Sequence, residues 1–517
     1  MDVGFGFSLP NWLILASTVV ILFYIYMEKK FRYWKEQGVE SQTKLEFLTG
    51  TIAALGMSFH QNVIETYKRH GRIFGMCMPS YDLWISKPEL IKHILVKDFP
   101  SFRIRTKIDF GDPIVNKMLS FINDEDWKRI RNLMSPTFTS SRMRKMANLV
   151  KQCAESLAKR FNENAEKGEN FNCKELMSTF TIDVTASTAF ATKLNAQENE
   201  NNEFVKNTRM VSNRNISKLT LLGFLVAPKL ISYLKLELFP RKILEFFRNV
   251  VLKILEERKQ KKVRGNDFLQ LMMDAQEGLL ENTAEDLKEV DNEINNYKLQ
   301  PKHKTMSLDE IVSQSILFII AGHDTTTNAL SLFCYEMALN PECQEKLLKE
   351  IDETWETHGD VDFDIVNKMT YLDAALNEAL RVHNPAVMIA RMASEDYKLA
   401  DTGITIKKGT NIVIPTYGMH HDPEYFPEPE RFKPERFLPE NKESIKPYTF
   451  LPFGDGPRNC IGMRFVTMVM KICIVYMLRE VKLVATEETR KPLKYYFGQT
   501  LQVKEIVLKA EKRTRFH

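Results

Sequence analysis

The stretch Phe453-Gly454-Asp455-Gly456-Pro457-Arg458-Asn459-Cys460-Ile461-Gly462 sets one cysteine between a glycine-rich loop and the apolar run Phe465 to Leu478, which reads as a helix. A sulfur at the start of a helix lies near free backbone N–H groups and the positive end of the helix dipole, and both stabilise a thiolate. Such a thiolate can ligate iron. Gly454, Gly456 and Gly462 would let the backbone approach a flat macrocycle, Phe453 would shield the sulfur, and Arg458 would pair with a carboxylate on the macrocycle's edge. A lone cysteine is more often a small buried hydrophobe; the residues around Cys460 lift it above that reading.

A second group lies within Ser307 to Leu339, opened by Ser307 and Glu310 in a capping-box arrangement and apolar on most sides from Ile311 to Ile320. As one helix it would run ~48 Å at about 1.5 Å per residue, through a domain and not over it. At its middle stands Ala321-Gly322-His323-Asp324-Thr325-Thr326. An acid and hydroxyls inside a helix are costly to bury unless they are hydrogen-bonded or used, and Gly322 costs about 1 kcal/mol against alanine. The bland alternative is a helix bent by threonine bonding back to the preceding turn.

Phe453-x-x-Gly456-x-Arg458-x-Cys460-x-Gly462 resembles the signature loop of the cytochrome P-450 superfamily, and the segment around Thr325 resembles its oxygen-activating helix. The resemblance implies haem b with Cys460 as axial iron ligand, Ala321 and Gly322 beside the oxygen pocket, Thr325 offering its hydroxyl to the oxygen, and Asp324 helping to deliver protons. Glu378-Ala379-Leu380-Arg381 puts an acid and a base on one helical face. With Arg436 in Pro434-Glu435-Arg436-Phe437 it resembles the family's structural ion pair and third arginine. Trp127 and Arg131, at i and i+4, match the family's propionate-holding pair. Arg391 matches a further propionate partner, and Arg105 is another candidate. Met134-Ser135-Pro136-Thr137-Phe138 also matches the animal enzymes. The resemblance covers about residue 60 to 510 and points to the branch holding vertebrate drug-oxidising enzymes, thromboxane synthase and insect detoxification enzymes. Two departures stand out: Tyr33 to Phe59 lacks the prolines of a microsomal hinge, and Asn384-Pro385 replaces a more usual proline arrangement.

The cysteine loop fails as a dinucleotide fingerprint, because Asn459 stands where the third glycine would be, and there is no P-loop. Electrons would therefore come from NADPH through a separate reductase, with cytochrome b5 as a second possible donor. The reaction implied is insertion of one oxygen atom from O2 into a lipophilic xenobiotic, steroid or lipid, in a pocket lined by Leu317, Ile320, Ala321, Val387 and Met388. A peroxide isomerase of the same superfamily tends to lack the alcohol at Thr325, and a non-enzymatic haem carrier would not need the Asp324-Thr325 pair.

The elements that must position these groups are mostly helices. Helical spacing is read over Met143 to Phe161, Arg241 to Glu257, Glu342 to Trp355 and Met369 to Val382. Strand character is confined to short pieces such as Tyr397 to Leu399, Ile404 to Ile406 and Asn411 to Pro415. The expected fold is mainly α with small β-sheets, a single large haem domain. The 517 residues, 44% apolar and 27% charged, suffice for a large core, and a net charge of +5 spread along the chain gives no nucleic-acid footprint. Residues 277 to 305 read as a solvated connection. Leu219 to Phe239 reads as two short apolar helices on a membrane or over a cavity, since Gly223 and Pro228 interrupt it. His420-His421-Asp422 does not suit one metal ion, because adjacent histidines turn apart.

Between Asp2 and Glu28 there is no charged residue, and Lys29, Lys30, Arg32 and Lys35 follow at once. This pattern predicts a retained transmembrane anchor over 1–28, a linker over 29–59 and a catalytic domain over 60–517. The positive flank puts that domain in the cytosol, on a single-pass protein of the endoplasmic reticulum in contact with membrane lipid. Seven scattered cysteines without a C-x-x-C pair fit a reducing compartment. Asn215-Ile216-Ser217 is read as an unused glycosylation tripeptide.

Overall fold

The computed structural model describes the chain apart from residues 1–10, 48, 51–56, 78–79, 108, 197–198, 200, 213–238, 263, 266, 278, 280–304, 497, 499 and 514–517. The apolar stretch expected over Leu219 to Phe239 and the connection expected over 277–305 lie almost wholly outside the described residues. Counting helices of ten residues or more, the order is α1 (Asn11–Glu36), α2 (Phe59–His70), strands β1 (Ile73–Met76) and β2 (Asp82–Ile85), α3 (Asp124–Met134), α4 (Ser140–Lys167), β3 (Asn170–Asn172), α5 (Cys173–Phe190), α6 (Glu203–Ser212), α7 (Arg241–Lys261), α8 (Phe268–Glu277), α9 (Leu308–Leu339), α10 (Pro341–His358) and α11 (Thr370–Val382). Then follow β4 (Ile389–Met392), β5 (Tyr397–Lys398), β6 (Thr405–Ile406), β7 (Asn411–Ile414), α12 (Met463–Glu480), β8 (Val481–Val484) and β9 (Val507–Lys512).

The helices read from periodicity are present, three of them with longer ends and α11 starting one residue later, and the fold is mainly helical with small sheets. Strands β1, β2, β4, β8 and β9 carry no signal strong enough to read alone, because each is at most six residues. One sheet has the order β1-β2-β7-β4, with β2 and β7 parallel and the other pairs antiparallel. Its register sets Arg391 opposite Ile412. A second sheet runs β3-β9-β8 and joins the C-terminus to the turn before α5.

Helix α9 is the axis of the molecule. It packs most heavily on α5, while α12 packs on α4, and these helices share one hydrophobic core. A helix apolar all round can be buried all round, and α9 is buried over most of its length. The exception is a window at its middle: Leu317, Phe318, Ile320, Gly322, Asp324 and Thr325 are part-exposed and Ala321 is exposed. Accessible surface at the centre of a buried helix marks the wall of an internal cleft.

The start of α9 carries the capping box read from sequence. Ser307 Oγ accepts from Glu310 N at 3.3 Å, and Glu310 Oε2 accepts from Ser307 N at 2.7 Å. Glu310 also pairs with Arg129 of α3, so the cap ties α9 to the element bearing Trp127 and Arg131.

Helix α1 does not stop at residue 28. Its last turns belong to the folded body: Met27, Phe31 and Trp34 are buried beside β1 and β2, and Trp34 Nε1 donates to Met76 O at 2.9 Å. The Trp34 ring fills the space a side chain at Gly75 would need, 2.2 Å from an ideal Cβ. Residues 29–36 are therefore a docked helix end and not a free linker. Among the described residues no helix is long and apolar enough to cross a membrane; residues 1–10 of the expected anchor lie outside those described.

Replacing Ser307 with Ala should cost about 1 kcal/mol through loss of the cap. Urea unfolding should show a lower midpoint with an unchanged slope.

Candidate active site

Cys460 lies two residues before the Gly462 cap of α12, on a loop held closed by its own backbone. Cys460 N donates to Phe453 O at 2.9 Å, Asn459 N to Gly456 O at 2.9 Å, and Val466 N to Gly462 O at 2.8 Å. The glycines serve different ends. Gly456 has φ of 71° and an ideal Cβ would lie 1.9 Å from Leu95 O, so a side chain is excluded by protein and not by a ligand. At Gly462 an added Cβ would meet nothing within 4 Å, and the same holds at Gly322 on α9. Open space at these two glycines fits a flat group better than a packed core.

Cys460 has exposed surface, yet burial pushes its thiol up, against the Gly462 N–H and the cations Arg131 and Arg105, which push it down. The two facts agree if the sulfur looks into an interior cleft, where its neighbours remove water without covering it. Here desolvation outweighs the helix N-terminus, so the thiolate expected from local sequence needs a further positive partner. A metal cation supplies one.

Around this loop four guanidiniums converge, those of Arg105, Arg131, Arg391 and Arg458. Arg105 Nη2 donates to Arg458 O at 2.6 Å, and Arg131 donates to Asn459 O at 3.0 Å and to Asn459 Oδ1 at 2.7 Å. Arg458 lies over the Trp127 ring at 4.4 Å and donates from Nη2 to Ile122 O at 3.0 Å. Among the described residues its Nε and Nη1 are buried without a hydrogen-bond partner, as is Nε of Arg391. Burial and then Arg105 bring Arg391 down to about 9. Burial, then Arg105 and Arg391, bring Arg458 down to about 7, with Asp124 opposing. Clustered cations whose buried donors point at nothing call for an anion. A macrocycle carrying two carboxylates satisfies that demand, so the residues present fit haem b.

The α9 window faces the same region. Phe318 packs on Phe465 of α12 with ring centroids 5.6 Å apart, placing the centre of α9 against the helix that begins just after Cys460. The Thr325 hydroxyl donates to Ala321 O at 2.7 Å, the back-bond weighed above as the bland alternative. A hydroxyl that donates backward still offers its oxygen as an acceptor. Leu317, Ile320 and Met388 are half-buried beside the exposed Ala321, whereas Val387 is fully buried and backs the wall without lining it.

The helix ion pair is stronger than its spacing alone implies. Glu378 and Arg381 are both 0% exposed and pair through two bonds of 2.8 Å. Glu378 Oε1 also accepts from Lys433 N at 2.9 Å and from Arg436 Nε at 3.4 Å. Arg381 Nη1 donates to His420 O at 2.8 Å, and His420 Nε2 accepts from Leu451 N at 3.0 Å, two residues before Phe453. His420 is thus a link that sequence reading missed; its neighbours His421 and Asp422 are also buried. Burial holds the His420 imidazole well below its ordinary range, neutral, as its acceptor role requires. No sequence signal separates such a histidine from an exposed one.

The family model for Cytochrome P450 matches residues 43–510, and the chain belongs to that family. It is a haem-thiolate monooxygenase that uses haem b with electrons from NAD(P)H through a reductase. Among its relatives are cytochrome P450 3A13 of Mus musculus, 36% identical over 505 residues that cover 96% of this chain and 95% of that protein, and cytochrome P450 3A7 of Homo sapiens, 36% identical over 525 residues that cover 99% of each. Cytochrome P450 3A12 of Canis lupus familiaris is also 36% identical, over 523 residues.

Replacing Glu378 with Ala should leave Arg381 buried and uncompensated, at a cost of about 3–5 kcal/mol. Thermal unfolding should fall steeply and haem content with it. Arg436→Ala, which loses only the 3.4 Å contact and a carbonyl bond, should do much less.

Proposed function

We propose that Cys460 is the axial ligand of the haem iron, with Phe453 and Gly462 beside it, and that Arg105, Trp127, Arg131, Arg391 and Arg458 hold the propionates. The observation that carries this reading is the group of buried guanidinium donors without partners beside a cysteine that has exposed surface inside the fold. The bound haem supplies the redox chemistry of oxygen activation. The protein's own groups do the rest. Ala321 leaves room at the centre of α9, Thr325 presents its hydroxyl oxygen as an acceptor to a protonated group in the cleft, and Asp324 delivers protons from the polar side of the helix. Glu378, Arg381 and Arg436 support the loop without touching the reaction.

The substrate is a lipophilic xenobiotic, steroid or lipid, held against Leu317, Ile320 and Met388; the apolar character of these positions and the P450 3A relatives support this. Cytochrome b5 would act as a second electron donor. Membrane association is through α1: large apolar side chains from Leu13 to Tyr26 are exposed, whereas elsewhere among the described residues exposed ones are isolated. Exposed apolar surface of this extent needs a cover, and a bilayer of the endoplasmic reticulum, with residues 60–517 on its cytosolic side, provides it.

Cys460→Ala should abolish the red-shifted carbonyl Soret band given by thiolate-ligated ferrous haem. Thr325→Ala should keep both band and haem content, while NADPH consumption with purified reductase yields hydrogen peroxide in place of product. Asp324→Asn should slow turnover on the order of 10²-fold, the lower end of general acid–base contributions. An unchanged product yield per NADPH in Thr325→Ala would remove Thr325 from the mechanism. Deleting residues 1–26 should lower partition into microsomes while a haem-loaded protein persists. Full-length chain recovered in low-salt supernatant would contradict the membrane reading.

A further inference from the structure

Ala321, Asp324, Thr325 and Asn328, at i, i+3, i+4 and i+7, form one stripe of α9, with Asp324 and Thr325 ~100° apart at its two edges. The carboxylate of Asp324 therefore leaves the helix at the opposite edge of that stripe from the threonine. A part-buried carboxylate in that position is held by whatever lies across from it. What lies across is the C-terminal segment before β9. Gln502 Nε2 donates to Asp324 Oδ2, and Val503 N donates to Asn328 Oδ1 at 3.0 Å. Asn328 Nδ2 closes the circuit by donating to Asp324 O at 2.8 Å.

The segment is pinned independently of α9. Lys174, buried in the first turn of α5, donates from Nζ to Val503 O at 2.8 Å. Leu501 N donates to Pro385 O and Tyr496 N to Gln502 O, at 2.9 and 2.8 Å. The backbone at Val503 is thus gripped from both sides, which fixes where the Gln502 side chain starts. Lys174 also faces Asp324, and burial, which pushes its ammonium down, is opposed first by that carboxylate. Other charged or titratable groups near this junction are His323, one residue before Asp324, and Arg209 of α6. His323 is held by Thr181 Oγ1 at 2.7 Å, and burial brings it down to about 3, so it is neutral.

We propose that Gln502 is a positioning residue for proton delivery: its amide fixes Oδ2 of Asp324 while Asn328 Nδ2 reaches Oδ1 at 3.4 Å, and with Asn328 and Lys174 also bracing the backbone that carries the glutamine, the carboxylate is held in one orientation. The inference rests on the reading of Asp324 as the proton-delivering acid. Glutamine suits the role because it donates to the carboxylate without adding a second charge beside Lys174.

The test uses the full-length holoenzyme with purified reductase and one saturating lipophilic substrate that gives a type I spectral shift. Gln502→Leu keeps bulk and removes the donor, and Gln502→Glu at pH 8 keeps shape and replaces the donor with a second acceptor, which cannot bond the carboxylate. In both, kcat should fall about tenfold, as for loss of a hydrogen bond to a charged group. The solvent deuterium isotope effect on kcat should rise, while KM, haem content and the carbonyl spectrum stay as in the parent. In the Asp324→Asn background, Gln502→Leu should add nothing, since both changes act through one carboxylate. A parental kcat and isotope effect in Gln502→Leu or Gln502→Glu, with Asp324→Asn still slow, would overturn the role of Gln502 alone. An Asp324→Asn enzyme with parental turnover would instead remove the underlying reading. A fall in haem content or a changed KM with an unaltered isotope effect would show a packing role and overturn the positioning role.

Discussion

The buried pairing of Glu378 with Arg381 is the interaction on which the rest of the site depends. Two fully enclosed charges are tolerable only if every remaining donor and acceptor is used, and here the surplus valences reach outward. Lys433 and Arg436 of the meander attach to the carboxylate, and the carbonyls of His420 and Arg431 attach to the guanidinium. His420 then passes the constraint to Leu451 and so to the cysteine loop. A local helical pair thereby becomes the anchor for the irregular chain from His420 to Leu451, which could not hold a shape by backbone ladders alone.

The second constraint is the burial of α9. Packed against α5 on one side and near α12 on another, it offers water little beyond a window around Ala321. Such a helix cannot shift to suit a reaction, so adjustment falls to side chains and to the segments beside it. The C-terminal segment at Gln502 and Val503 and the chain at Pro385 to Met388 reach this window from other parts of the sequence. The same geometry sets Thr325 and Asp324 at opposite edges of one polar stripe of α9, with Asn328 between them.

The cation cluster shows how the protein stores an affinity. Arg105, Arg391 and Arg458 come from a loop, a sheet strand and the cysteine loop, and their mutual repulsion is accepted in the folded chain. Arg391 and Arg458 keep buried donors without a partner among the described residues, so an anion bound there would relieve a cost that folding has already imposed. Trp127 contributes its face to Arg458 as well as bulk beneath the loop.

Much of this was legible in the chain. Cys460, the capping box at Ser307 and Glu310, the centre of α9 and the acid–base pair at 378 and 381 are local features, and local features are written at fixed spacing. The helices followed because their periodicity repeats over many turns. Strands β1, β2, β4, β8 and β9, the docking of Trp34 on β1, the burial of His420 and the grip on Asp324 could not be read that way. Each depends on a partner outside its own element, and burial, not residue type, decides what an imidazole, an indole or an amide does. The order of residues determined which groups are available; tertiary packing alone decided which carboxylates and cations lose water together, because desolvation is a property of surroundings that no spacing along the chain encodes.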